Sequence, residues 1–498
     1  MFASINSATL FGIEGAPVCV EVHIGAGLPG FSVVGLPDEA CREARDRVRA
    51  ALLSSGFDWP NRRITVNLAP SDRRKGGSGL DLALAVGILV AQGEVDQLAT
   101  NGIGFVAEVG LDGSLKPVPG TAPLVAAMRQ HHVVVADAAG ADALVAAPQR
   151  VSVAATLADV VASLRRVTSW VEPRAFPVPT DIDGCPDLAD VRGQPVARRA
   201  AEVAAAGEHN LLLVGGPGGG KTMLAERLAG LLPMLDGHDA VTATMIRSAA
   251  GERLTGLVRT PPFRAPHHSA SMIAMVGGGS GLLRPGEVSL AHGGVLFLDE
   301  VGEFAPSVLD ALRQPLESGE VRLARSGTTL TLPARFLLVG ATNPCPCGGG
   351  GPGACICNDT ARQRYLRRLS GPLLDRFDLR VAVAATSPDD LLETEPAEST
   401  AVVRSRVDAA RCAAIARQDK PNARLSSAEL DDVAPLSESA RNLLHTELEA
   451  GRLTGRGFHR VRRVARTLAD LVGDASDTVD GEHVREAIAL RARLGGVR

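Results

Sequence analysis

One stretch, His209–Thr222, constrains this chain more than any other: His-Asn-Leu-Leu-Leu-Val-Gly-Gly-Pro-Gly-Gly-Gly-Lys-Thr. A short apolar run leads into a glycine-rich turn, and Lys221-Thr222 opens an amphipathic segment from Met223 to Leu232. The pattern predicts strand, loop and helix, and Gly215, Gly216, Pro217, Gly218, Gly219, Gly220, Lys221 and Thr222 match G-x-x-x-x-G-K-[ST] without departure. Glycines let backbone N–H groups curl around a phosphate chain with no Cβ in the way. The helix N-terminus adds partial positive charge, Lys221 reaches the β- and γ-phosphates, and Thr222 holds Mg²⁺. The chain has four lysines, Lys75, Lys116, Lys221 and Lys420, so a lysine falling here by chance is rare. A ligand-free glycine turn is the competing reading, and the residues downstream argue against it.

A length of 498 residues predicts about three domains, each able to bury a core. Aromatics at 3% are too few for base-stacking platforms, and a net charge of −4 excludes a uniformly basic coat for nucleic acid. A basic channel remains compatible, because charge can be segregated. Met1–Gly15 lacks a basic segment followed by a sustained apolar one, so no signal peptide is read there. The longest apolar run, Leu82–Ala91, falls short of the ~20 residues that span a bilayer. The expectation is a cytoplasmic protein with no membrane partner. Four of the eight cysteines lie between Cys345 and Cys357, which inside a cell suggests a metal before a disulfide.

Residues 1–167 read as one unit. β-like runs (Val18–Ile24, Phe31–Val34, Ile64–Leu68, Gly104–Val109, Val133–Val135) alternate with helical stretches Asp38–Leu53 and Leu80–Ala91, an α/β or α+β pattern. Residues 168–188, with Pro173, Pro177, Pro179 and Pro186, read as a linker. Gly30–Pro37, Asp38-Glu39-Ala40 and Ile64–Pro70 resemble the N-terminal domain of the YifB/ComM group of Mg-chelatase-like proteins, whose fold is similar to the Lon-protease catalytic domain. That likeness invites a protease test. Gly77-Ser78-Gly79 sits where Lon-type proteases keep a nucleophilic serine, but the stretch Pro119–Leu124, where their lysine base falls, contains none. Lys116 is on the wrong side of that turn. Ser78 without a base is a weak nucleophile, so the expectation is a helix-cap or turn serine and no protease. Arg73-Arg74-Lys75 reads as a solvated loop, with nucleic-acid contact as the sharper alternative.

Residues 189–387 carry the remaining nucleotide chemistry. Val295–Leu298 is an apolar strand ending in Asp299 and Glu300, 78 residues after Lys221. With the phosphate-loop strand as its expected neighbour in a parallel sheet, both carboxylates emerge at the ligand edge. Asp299 would then ligate Mg²⁺ and Glu300 activate the attacking water. Phe336–Thr342 is a second buried strand, and Asn343 at its tip fits a γ-phosphate sensor; a turn-forming Asn before Pro344 is the alternative. Gly371–Asp378 carries Arg376, which resembles the arginine finger of AAA+ proteins and would then serve a neighbouring subunit. A structural ion pair with Asp375 or Asp378 competes with that role.

Phe263–His268, Pro285–His292, Leu312–Glu317 and Asn343–Gly348 make the resemblance specific. They are similar to the ATPase module of YifB/ComM proteins, relatives of the Mg-chelatase ATPase subunit. The resemblance implies that the insert Ala270–Arg284 and the hairpin Val321–Leu332 point into the pore of a ring. Arg322 and Arg325, beside a Ser326-Gly327 turn, then become DNA-contact candidates, although strict alternation sets them on opposite faces. Cys345-x-Cys347 and Cys355-x-Cys357 supply four thiols for Zn²⁺, or remain structural thiols. His267 and His268 read as packing residues rather than ligands.

Residues 388–498 read as helical. A helix beginning near Thr454 carries arginines at 456, 460, 462, 463 and 466, and Arg456 at its mouth is assigned as the second γ-phosphate sensor; a solvated basic face is the alternative. The expected fold is therefore α/β: a P-loop AAA+ core with a Lon-protease-like α+β N-terminal domain and an all-α C-terminal lid. The expected cofactors are ATP, Mg²⁺ and Zn²⁺. The resemblance implies a hexameric ring whose ATP hydrolysis moves DNA, as in ComM-type helicases that promote branch migration during recombination of incoming DNA. A remodelling ATPase acting on a protein or metal-insertion partner is the rival.

Overall fold

The computed structural model describes residues 1–71, 75–147, 150–174, 185–254, 256–279, 283–325, 328–348, 355–358, 360–361, 365, 371–384, 389, 392, 397–473 and 478–491. Arg73 and Arg74, the middle of the expected linker and the Ser326-Gly327 turn lie outside the described residues, as does the side chain of Arg325.

The first 164 residues build a seven-stranded mixed sheet. Phe2–Phe11 and Glu14–Gly25 form an antiparallel hairpin, and Glu14–Gly25 pairs antiparallel with Arg63–Ala69. Beyond Phe2–Phe11, strands Ile103–Val106, His132–Ala136 and Arg150–Ala154 follow in parallel. Val18, Val20, Val22 and Ile24 alternate into the core, as a half-buried strand requires. Phe2–Phe11 was not among the expected strands because polar side chains interrupt its pattern. Those side chains are buried: Ser7 Oγ donates to Phe105 O at 2.7 Å, and Thr9 Oγ1 donates to Gly76 O at 3.1 Å. The expected run Gly104–Val109 divides, with Glu108–Val109 pairing instead with Leu115–Lys116. Helix Asp81–Gln92 is buried on nearly every side, which its unbroken apolar sequence dictates.

The second sheet has five parallel strands in the order Phe263–Arg264, Val295–Leu298, Leu337–Thr342, Leu211–Val214, Leu379–Ala382. The strand that ends before Asp299 is therefore not the neighbour of the phosphate-loop strand. Leu337–Thr342 lies between them and brings Asn343 to the centre of the sheet's ligand edge. Burial on both faces makes all three central strands continuous apolar runs, so sequence reveals their depth but not their lateral order.

From residue 397 the described chain is helical, with Thr400–Gln418, Glu438–Glu449, Gly455–Val472 and Gly481–Ala489 as its main helices. These share one apolar cluster with helix Pro195–Gly207 through Ala204, Val407, Val464 and Leu468. The arginines of Gly455–Val472 form in large part an internal brace rather than the solvated basic face of the alternative reading. Arg466 and Asp470 form a buried pair at 2.8 Å, and Arg417 adds two 2.9 Å bonds to the same carboxylate. Arg462 reaches Asp431 at 2.7 Å.

The N-terminal sheet unit meets the parallel-sheet unit at Ser248. Its hydroxyl donates to Asp142 Oδ2 at 2.9 Å and accepts from the Ala122 N–H at 3.2 Å, while its carbonyl accepts from the Gly120 N–H at 2.7 Å. The hairpin Glu320–Arg325/Thr328–Pro333 is also covered in part: Leu330 is buried, with Phe11 and Ile13 packed on the same cluster. Among the described residues no helix is long and apolar enough to cross a membrane.

Candidate nucleotide site and cysteine cluster

The strand Leu211–Val214 delivers the glycine-rich loop, and helix Lys221–Leu231 leaves it. Gly218 and Gly220 have φ of 75° and 81°, which only glycine adopts without strain, and this lets the loop fold back over the helix start. Lys221 Nζ donates to Gly215 O at 2.7 Å and Gly216 O at 2.8 Å, and lies 3.3 Å from Asn343 Oδ1. Partial burial lowers the ammonium's pKa, opposed by the charges of Asp299 and Glu300. Thr222 Oγ1 donates to Asp299 Oδ2 at 3.0 Å, so the two groups expected to share Mg²⁺ already touch.

Glu300 is bent out of the strand direction. Its φ of 51° is unusual for a side-chain-bearing residue, and its N–H donates to Asp299 Oδ1 at 2.9 Å. Such strain, on the order of 1–3 kcal/mol, persists where surrounding structure holds it. His268 Nδ1 lies 3.8 Å from Glu300 Oε2, with its ring against His267 and Phe304. A cavity of about 410 Å³ is lined by Pro217–Met223, Asp299, Glu300, Thr342 and Asn343. Beside it lies a cavity of about 320 Å³ lined by Asp190, Val191, Arg192, Gln194, Gly219, Gly220 and Met223. Sequence reasoning passed over both Asp190–Gln194 and the His268 contact. The signal for the first was Gly193-Gln194-Pro195 before a helix, with Gln194 left-handed at φ 58° and its amide donating to Ala384 O.

The candidate arginines lie elsewhere. Arg376 pairs with Glu317, not with Asp375 or Asp378. Burial lowers its pKa, as do the nearby charges of Arg460, Arg456 and Arg313. Arg456 is 77% exposed and 3.7 Å from Asp375, whereas Arg460 is bonded to buried Asp378 at 2.9 Å. The described lining of the phosphate-loop cavity includes neither Arg376 nor Arg456. Arg322 stands opposite Thr331 in the hairpin, exposed and 3.7 Å from Glu320, and Arg325 stands opposite Thr328.

Cys345, Cys347, Cys355 and Cys357 converge: all four sulfurs lie within 4.8 Å of one another. Cys345–Cys347, Cys345–Cys355 and Cys347–Cys355 are 3.4, 3.5 and 3.7 Å apart. In the N-terminal unit, Ser78 opens the short turn Ser78–Leu80 without capping it, and its hydroxyl donates to Glu108.

A parallel sheet with this loop, an Asp-Glu pair one strand removed and an Asn between them defines a P-loop ATPase of the AAA+ class. Family profiles agree in three segments: "magnesium chelatase, subunit ChlI" over residues 187–391, "subunit ChlI of Mg-chelatase" over 20–138, and its C-terminal segment over 397–491. YifB of Escherichia coli is 42% identical over 98% of this chain and 96% of its own length. Competence protein ComM of Haemophilus influenzae is 41% identical over 99% of this chain and 98% of its own. A stretch of 201 residues, 40% of this chain and 25% of the other, is 29% identical to a protein of Arabidopsis thaliana named probable DNA helicase MCM9. The chain belongs to the YifB/ComM family of Mg-chelatase-like proteins.

Proposed function

We propose that this protein is a ring-forming ATP-driven motor that acts on DNA, as a helicase or branch-migration enzyme in recombination of incoming DNA. The observation that carries the reading is the cleft in which Lys221, Thr222, Asp299, Glu300 and Asn343 converge while Arg376 stays outside it. In this proposal Gly215–Thr222 grip the triphosphate of ATP, and Thr222 and Asp299 hold Mg²⁺. Glu300 draws the proton from the attacking water, and Asn343 orients it. Held by Thr222 and Asp299, Mg²⁺ would supply positive charge to the phosphate chain as it is cleaved. Arg376 serves a neighbour's nucleotide and Arg456 is the second γ-phosphate sensor, so turnover requires further copies of the chain, assembled as a hexamer. Arg322 and Arg325 would touch DNA phosphates. The four thiols would take Zn²⁺, a donor set that suits it.

The family, the name of the Haemophilus relative and the helicase likeness support DNA as the substrate. Residues 1–167 would be a Lon-like domain without protease activity, and residues 388–498 an all-helical lid that follows the core of 189–387. A cytoplasmic location fits this role. The rival, remodelling of a protein or metal-insertion partner, draws on the chelatase profile. ATP turnover with and without single-stranded, duplex and branched DNA separates them. Acceleration that fades steeply with salt is expected of the motor. An indifferent rate at low salt would favour the rival.

A further inference from the structure

The cysteine cluster is not remote from the nucleotide cleft. Cys345 follows Asn343 by two residues at the tip of the central strand, and its side chain is 1% exposed. The chain then turns, with the Gly348 N–H donating to Cys345 O at 3.0 Å. That turn lies on the phosphate loop: a Cβ on Gly348 would stand 2.7 Å from Pro217 Cδ, and one on Gly216 would stand 3.1 Å from Gly348 O. The same short segment thus carries the γ-phosphate sensor at one end, the first two thiols in its middle and the loop contact just beyond.

The sulfur spacings suit a metal better than a disulfide. A tetrahedral zinc with Zn–S of ~2.3 Å sets its sulfurs ~3.8 Å apart. The separations of 3.4, 3.5 and 3.7 Å are within a few tenths of that, whereas a disulfide requires ~2.05 Å. Cys355 and Cys357 arrive from a later part of the chain, so one ion would tie two segments together. Such a tie would fix the turn 344–348 against Pro217 and, through it, the position of Asn343 beside Lys221.

On this basis, and resting on the nucleotide and zinc readings above, we infer that the four-thiolate zinc site is a brace of the ATP site. The ion holds Asn343 in register with Lys221 and presses the Gly348 turn onto the phosphate loop. Loading the ion therefore sets both nucleotide affinity and turnover. A catalytic group displaced by ~1 Å loses on the order of a hundredfold in rate, so a small relaxation of the turn is sufficient.

The test uses the full chain. Zinc content is measured by mass spectrometry, and the ion is exchanged for Co²⁺, whose visible bands report four thiolates in tetrahedral array. One ion per chain with that spectrum is expected; no stoichiometric metal and no such spectrum would overturn the metal assignment. Zinc is then removed under reducing conditions, and binding of a fluorescent ATP analogue and ATP turnover are measured before and after reloading. The expected loss is about tenfold in affinity and more in turnover, restored by Zn²⁺. Zinc present, with both quantities unchanged on its removal, would overturn the brace and leave the metal site standing. If loaded protein binds no nucleotide at all, the nucleotide reading fails along with the brace. Cys347→Ser with Cys357→Ser should reproduce the metal-free behaviour. Should that variant unfold, the parent chain decides: nucleotide affinity measured across a series of Zn²⁺ occupancies is expected to rise with loading, and an affinity independent of occupancy counts against the brace.

Discussion

Lys221 Nζ and Asn343 Oδ1 stand 3.3 Å apart, so the cation of the phosphate loop and the amide at the tip of the central strand meet at one point. A γ-phosphate entering there must draw Nζ from the carbonyls of Gly215 and Gly216 while the Asn343 amide stays beside it. The two residues should therefore separate kinetically. Lys221→Ala is expected to abolish nucleotide binding, read by fluorescence of a labelled ATP. Asn343→Ala should bind within a few-fold of the parent but turn over on the order of 10²-fold more slowly, as for loss of one transition-state donor. Equal losses in both steps would remove the sensor role from Asn343.

Glu300 combines a carboxylate at the cleft with a left-handed backbone, and these two properties can be varied apart. Glu300→Gln should hold ATP and slow hydrolysis by roughly 10²- to 10⁴-fold, the range for loss of a general base. Glu300→Gly should be equally inactive, yet more stable than Glu300→Gln by about 1 kcal/mol, because glycine accepts φ of 51° without strain. Thermal melting of the two variants measures the difference.

Arg376 is tethered to Glu317 rather than to its sequence neighbours, and burial disfavours its charge. If it serves the adjacent subunit's nucleotide, Arg376→Ala should lower turnover by about 10³-fold or more with ATP affinity retained. Mixing it with Glu300→Gln subunits should then restore part of the activity, since some interfaces regain both groups. No recovery at any ratio would show that the arginine works within its own chain or not at all.

Asp142 gives the junction of the two sheet-bearing units a pH dependence. Burial raises its carboxyl from the usual 3.8 to about 6, against the hydrogen bond from Ser248. A carboxyl whose docked pKa is raised holds its proton longer in the closed junction than in the open one. Closure is therefore favoured at low pH and weakens as pH rises from about 4 to about 6. After division by the intrinsic exchange rate, which itself rises with pH, protection of the Gly120 and Ala122 amides should be greater at pH ~5 than at pH ~7, and Asp142→Asn should remove that difference in protection. A dependence that survives the substitution would assign it to another group.

Much of the site was legible because its parts are local. Glycines before Lys-Thr, two acids after an apolar run and an Asn after another each occupy a few consecutive residues, and backbone stereochemistry fixes what such runs form. Helix positions followed for the same reason to within a residue: the stretch expected at Asp38–Leu53 is Glu39–Ser54, and Asp38 stands outside it as the cap, accepting from the Cys41 N–H at 2.9 Å. Strand Phe2–Phe11 was illegible because its buried Ser7 and Thr9 are satisfied by backbone groups about 98 and 67 residues away in sequence.

By itself the sequence determined the phosphate loop, the acids and amide that accompany it, the α/β core and the helical C-terminal stretch. Only the tertiary structure decided that Leu337–Thr342 lies between the two other strands, that Arg376 answers to Glu317, and that the four thiols close on one another. The division has one physical cause. Helices, loops and strand depth are set by residues adjacent in the chain, whereas strand order, ion-pair choice and a four-point metal cage depend on which distant segments pack together, and packing is decided by the whole fold at once.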